Sequence, residues 1–131
     1  MEKVETKSAP KALGPYSQAI KAGDFLFVSG QLPMIAATGQ LMQGSIEEMT
    51  EQVLKNLEAI VLAAGGELKH AVRCEVFLTD LKDFQKVNAV YAAWFPGDHP
   101  PARQTIQVAA LPMGSPIEIS CIVFLGENEL T

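Results

Sequence analysis

Two charged side chains stand inside apolar, strand-like runs in the last third of this 131-residue chain. Arg103 follows Pro100-Pro101-Ala102, which stiffens its backbone approach, and by a period of two it shares a face with Thr105 and Gln107. Glu118 lies between Ile117 and Ile119, sharing a face with Ser120 and opposed to Ile119 and Cys121. A guanidinium is a rigid fork that grips a carboxylate through two charge-assisted hydrogen bonds. A partly buried glutamate can act as a general base toward water. If their strands are neighbours, Arg103 and Glu118 lie on one face of a sheet. They would then form either a carboxylate clamp beside a water-activating base or an ion pair that satisfies two charges at an interface.

Three further segments carry groups that could line such a site. Gly14-Pro-Tyr-Ser-Gln18 joins a turn to Tyr16 and two small polar residues, and an ordinary turn would use the same residues. Ser29-Gly30-Gln31 ends an apolar run, where Gly30 either lets a ligand meet the backbone or marks a bulge. Asn88 falls within a helical pattern, where a plain surface residue is the competing reading. No glycine-rich phosphate loop or Ser/His/Asp set is present, and His70 and His99 have no metal-ligand spacing, so no metal is expected. Cys74 and Cys121, far apart in sequence and each within an apolar run, read as buried thiols rather than as a disulfide or a nucleophile.

The elements that must hold these residues follow from periodicity. Residues 16–21 and 25–29 read as strands joined by a turn at Ala22-Gly23-Asp24. Ser45 and Glu48 form a capping box ahead of Ile46, Met49, Val53, Leu57, Ile60 and Ala64, an apolar stripe that Gly65-Gly66 ends, which predicts a helix over 46–64. Residues 71–79 alternate, with Val72, Cys74, Val76 and Leu78 on one face. Asp83 is placed to cap a second helix that buries Phe84, Val87, Tyr91 and Trp94 and ends before Pro96-Gly97. Strands over 103–110 and 117–125, joined by the turn-rich Leu111–Pro116, complete the chain.

Two helices and about six strands predict a single α+β domain over 1–131, one mixed sheet with both helices on one face. Ile122 and Phe124 then fall opposite Ile119 and Cys121, and Phe77 with Ile106 or Val108 behaves likewise, leaving a second apolar face. Such a face becomes a subunit interface, so a homo-oligomer is expected.

Composition narrows the class. The chain is 48% hydrophobic, enough for a core without disulfides or metal. Ten Lys+Arg against fifteen Asp+Glu, with the basic residues scattered, argue against a nucleic-acid partner. No apolar run is long enough to span a membrane and the charged amino terminus is no secretory signal, so a cytoplasmic location is expected.

Taken in order, Gly14-Pro-Tyr-Ser-Gln-Ala19, Phe27-Val-Ser-Gly-Gln31, Gln52-Val-Leu-Lys-Asn-Leu57 and Cys74-Glu-Val-Phe-Leu-Thr-Asp80 resemble the RidA family, also called YjgF-like or L-PSP. The helix with Asn88, Tyr91 and Phe95, then Pro101-Ala-Arg-Gln-Thr105 and Ile117-Glu-Ile119, extend the resemblance over about residues 2–127. It implies a fold like that of trimeric, bacillus-type chorismate mutase, with three sheets packed into a central barrel and clefts built from two subunits. It implies cofactor-free hydrolysis of enamines and imines such as 2-aminoacrylate to 2-oxo acids and ammonia. Arg103 matches the arginine that binds the substrate carboxylate and Glu118 the glutamate associated with the catalytic water. Tyr16, Ser29, Gly30 and Asn88 match positions that line or shape the cleft. Thr105, also placed at the cleft, departs from the pattern, because many members carry cysteine there; carboxylate binding and water attack need no thiol. A non-catalytic binder of 2-oxo acids and the endoribonuclease or translation-inhibitor activity attached to some relatives are the competing expectations.

Overall fold

Reciprocal hydrogen bonds start the longest helix. Ser45 Oγ accepts from the Glu48 amide at 3.1 Å and the Glu48 carboxylate accepts from the Ser45 amide at 2.9 Å. This capping box opens α1 (Ile46–Ala63), whose stripe of Val53, Leu57 and Ile60 is fully buried. The computed structural model describes residues 1–126. Around α1 run β1 (Glu2–Val4), β2 (Ala19–Ala22), β3 (Phe25–Gln31), β4 (Ala71–Leu78), α2 (Phe84–Trp94), β5 (Ala102–Gln107) and β6 (Ile117–Phe124). All six strands form one sheet in the order β1-β2-β3-β6-β4-β5. The β4–β5 pair is parallel and every other pair is antiparallel, so the sheet is mixed.

β6 is the last strand made, yet it lies between β3 and β4. Helix α1 therefore carries the chain across it, while α2 joins the adjacent parallel pair β4 and β5. Both helices cover one face. Leu26, Val28, Val76, Leu78, Ile117, Ile119 and Val123 point there and are buried, each contributing about 1.5–3 kcal/mol of transfer free energy. The opposite face carries Phe25, Phe27, Phe77, Ile106, Ile122 and Phe124, with Phe25 and Phe124 rings 5.4 Å apart and Phe27 46% exposed. Among the described residues no helix is long and apolar enough to cross a membrane.

Several expectations need adjusting. The first predicted strand begins at Ala19 rather than residue 16, because the Tyr16 amide closes a tight turn onto the Gly14 carbonyl. The strand expected over 103–110 ends at Gln107. Val72 is not a core residue: it is the extra residue of a bulge between Ala71 and Arg73, so it turns outward and Ala71 takes the buried place. Asp83 precedes α2 but makes no side-chain cap bond; Asp80 Oδ1 instead accepts from the Lys82 amide and starts a short turn that leads into the helix. The short strand β1 was not anticipated.

The consequential correction concerns β5 and β6. They are not neighbours, for β4 separates them. In register, Cys74 pairs with both Arg103 and Cys121, so Arg103 belongs to the helix face, while Phe77 pairs with both Ile106 and Glu118, so Glu118 belongs to the open face. Arg103 and Glu118 thus lie on opposite faces. Two strand spacings and three residues along the strand put their Cα atoms roughly 14 Å apart.

Candidate active site

A bulge shapes the surroundings of Glu118. Between the pairs Val28–Cys121 and Gln31–Ile119, Ser29 and Gly30 stand against the single Ser120. Gly30 then lies under the Glu118 carboxylate, so close that a Cβ at position 30 would overlap its Oε2. Only glycine permits that approach. The bulge reading of this segment holds, and the bulge is what creates the close approach of Glu118 to Gly30.

Ser29 fixes the neighbouring wall. Its hydroxyl donates to the Ser17 carbonyl at 2.6 Å and its amide to the Gln18 carbonyl at 2.9 Å. These bonds bring Tyr16 alongside Gly30, the residue 52% exposed and its hydroxyl accepting from the Leu13 amide at 3.2 Å. The wall beyond is tied down by buried Gln18, which accepts from the Thr6 amide at 2.7 Å and donates to the Pro10 carbonyl at 2.8 Å. Asn56 does the same for the other side, its amide donating to the Leu32 and Met34 carbonyls at 3.0 and 2.9 Å. Together with Met113, these segments enclose a cleft of about 470 Å³ that holds Tyr16, Ser29, Gly30 and Glu118. Burial in this largely apolar cleft raises the Glu118 pKa above the usual glutamate value.

Arg103 has different surroundings on the other face. Its Nη1 donates to Asn88 Oδ1 at 2.7 Å, and its guanidinium carbon lies 4.7 Å from the Tyr91 ring centre and 5.7 Å from that of Phe84. Thr105, two residues on and on the same face, buries a hydroxyl that finds no hydrogen-bond partner among the described residues. Cys74 and Cys121 face each other on adjacent strands, an adjacency that their distance in sequence conceals. Both are free and buried, and burial raises both thiol pKa values, which disfavours the reactive thiolate.

Two groups therefore emerge, with Tyr16, Ser29, Gly30 and Glu118 on one side of the sheet and Asn88, Arg103 and Thr105 on the other. Among the described residues neither Arg103 nor Glu118 has an oppositely charged partner within 4.0 Å. The alternative reading of Arg103 and Glu118 as an ion pair is not met among the described residues of one chain. Gln18, Asn56 and the aromatic support of Arg103 were missed as site-shaping residues; the signal for the last was the spacing of Phe84, Asn88 and Tyr91 along one helix face.

Comparison with known proteins places the chain in context. The family model "Endoribonuclease L-PSP" matches residues 6–125. Reactive Intermediate Deaminase A of Arabidopsis thaliana chloroplasts is 51% identical over 95% of this chain and 66% of its own length. The 2-iminobutanoate/2-iminopropanoate deaminase of Mus musculus is 43% identical over 94% and 90%. The crystal structure of RidA from an Antarctic Psychrobacter superposes with a TM-score of 0.90 at 43% identity, covering 95% of this chain and 99% of that one.

Proposed function

The chain belongs to the L-PSP family, which includes the RidA deaminases, and from that premise we propose that it hydrolyses 2-imino acids, and the enamines that tautomerise to them, to 2-oxo acids and ammonia at clefts between copies of itself. One observation carries the reading. Among the described residues Arg103 has no carboxylate partner and Glu118 no cationic partner, and the two occupy opposite faces of one sheet, which supports a site completed between two copies. A trimer whose open sheet faces pack together, as the resemblance implies, would cover Phe25, Phe27 and Ile122 and bring Arg103 of one copy to the Glu118 cleft of the next.

The chemistry then needs few groups. Protonation at carbon turns 2-aminoacrylate into its imine. Arg103 grips the carboxylate and so fixes the imine carbon beside Glu118. Glu118, whose pKa is raised by burial, takes a proton from water as the oxygen attacks. Glu118 returns that proton to nitrogen and then accepts the adduct's hydroxyl proton as the C–N bond breaks, so ammonia leaves with the bonding pair, the 2-oxo acid remains, and the proton left on Glu118 offsets the one taken up at carbon. Water is the only co-reactant.

The test couples an enzyme that releases 2-aminoacrylate to pyruvate and ammonia detection. Faster pyruvate release with this protein than in buffer is expected. No acceleration would overturn the reading, and calorimetric binding of a 2-oxo acid without turnover would identify a binder instead.

A further inference from the structure

We propose that Tyr91 and Asn88 are positioning residues for Arg103, and that the neutral amide at position 88 keeps the guanidinium charge available to an incoming carboxylate. This inference rests on the deaminase reading for what Arg103 does, although the cradle itself can be tested separately. Phe84, Asn88 and Tyr91 recur at i, i+4 and i+7 on one face of α2, the face turned toward β5. The aromatic rings receive the guanidinium at 4.7 and 5.7 Å, while Asn88 Oδ1 takes one N–H at 2.7 Å. A guanidinium has five N–H groups in one plane. With an aromatic face beneath and one N–H anchored, the remaining donors present a fixed edge that suits a coplanar carboxylate.

The choice of anchor decides the electrostatics. Half-buried arginines are commonly held by carboxylates, which orient and neutralise together. An amide oxygen orients without neutralising, and a ring quadrupole attracts the cation while adding no net charge. Among the described residues no carboxylate lies within 4.0 Å of Arg103, so its full positive charge remains. Tyr91 is itself fixed: it is 6% exposed and its ring lies 4.7 Å from that of Phe95. Its hydroxyl lies beside the Cys74 thiol and makes no hydrogen bond to Arg103, whose guanidinium meets the Tyr91 ring instead.

The experiment compares the parent with Tyr91→Phe, Tyr91→Leu and Asn88→Asp. It measures kcat and KM for imine hydrolysis, melting temperature, and the order of the Arg103 Nε–H by ¹⁵N relaxation. Tyr91→Phe should match the parent in kcat, KM and Arg103 order, with an equal or higher melting temperature because it removes a buried hydroxyl that makes no hydrogen bond. Tyr91→Leu should raise KM roughly tenfold with kcat little changed and leave the Arg103 Nε–H mobile. Asn88→Asp should keep or raise the melting temperature yet raise KM by about 30-fold or more, because an internal carboxylate competes for the fork. An Asn88→Asp protein with parental KM, or a Tyr91→Leu protein with an ordered Arg103 Nε–H, would overturn the proposal. Failure of the parent to hydrolyse imines would instead remove the deaminase reading, and the relaxation measurement would still decide whether α2 holds Arg103.

Discussion

The two faces of the sheet treat their charged residues in opposite ways. On the helix face Arg103 is supported by two rings and an amide, with no carboxylate within 4.0 Å among the described residues. On the open face Glu118 is given space rather than support: it lies over a glycine in an apolar cleft, and burial raises its pKa. A cation that must bind an anion benefits from orientation, because a fork works only when aimed. A base benefits from desolvation, because its proton affinity rises as water withdraws. Each face supplies what its residue needs and lacks the partner found on the other.

The sharpest way to break this contrast is to separate the halves genetically. Arg103→Ala should lower kcat/KM by roughly 10³-fold, since two charge-assisted hydrogen bonds worth about 1.5–3 kcal/mol each are lost. Refolding that variant together with Glu118→Gln, itself inactive, should restore activity at on the order of a quarter of the sites, where an intact Arg103 meets an intact Glu118 by chance pairing. Steady-state rates of the mixture check this, and no recovery would mean that both halves must come from one chain. Gly30→Ala comes next. A Cβ there must displace the Glu118 carboxylate, and a shift of about 1 Å costs up to roughly 10²-fold in rate, with the melting temperature little changed.

A smaller effect comes from the titration of Glu118. Its raised folded-state pKa means that, above the ordinary value of about 4.3, the unfolded chain loses the proton while the folded one still holds it. Stability therefore falls as pH rises through that window. Glu118→Gln should be the more stable protein at neutral pH, by less than about 1 kcal/mol because Glu118 is only partly buried, and the gap should close below pH ~4. Thermal melts across pH measure it, and the acid limb of kcat/KM should lie above the usual glutamate range. Least of all, Thr105→Val should leave activity within about twofold and add up to about 1 kcal/mol of stability, since it removes a buried hydroxyl that makes no hydrogen bond. A large loss of activity there would give that hydroxyl a role the geometry does not show.

Much of the fold was legible because its signals are local. The Ser45–Glu48 box and the apolar stripe behind it fix α1 to within a residue, and the alternation in Ile117–Phe124 shows both the buried face and the surplus on the other. Each candidate residue also sits on the element expected to carry it, apart from Tyr16, which a turn holds just before its strand. What the sequence left open was whether β5 and β6 touch, and they do not. Periodicity tells which residues of one strand share a face, but carries nothing about which face of one strand matches which face of another.

The sequence by itself determined helix α1 with its capping box, the two-faced strands and the places of Arg103 and Glu118 within strands, because each depends on neighbours a few residues away. Only the tertiary structure decided that β6 enters between β3 and β4, that Arg103 turns toward α2 while Glu118 turns toward Gly30, and that Cys74 meets Cys121. Those outcomes depend on contacts between residues far apart in the chain, where strand order is set by how helices and sheet bury their apolar faces together rather than by any local pattern.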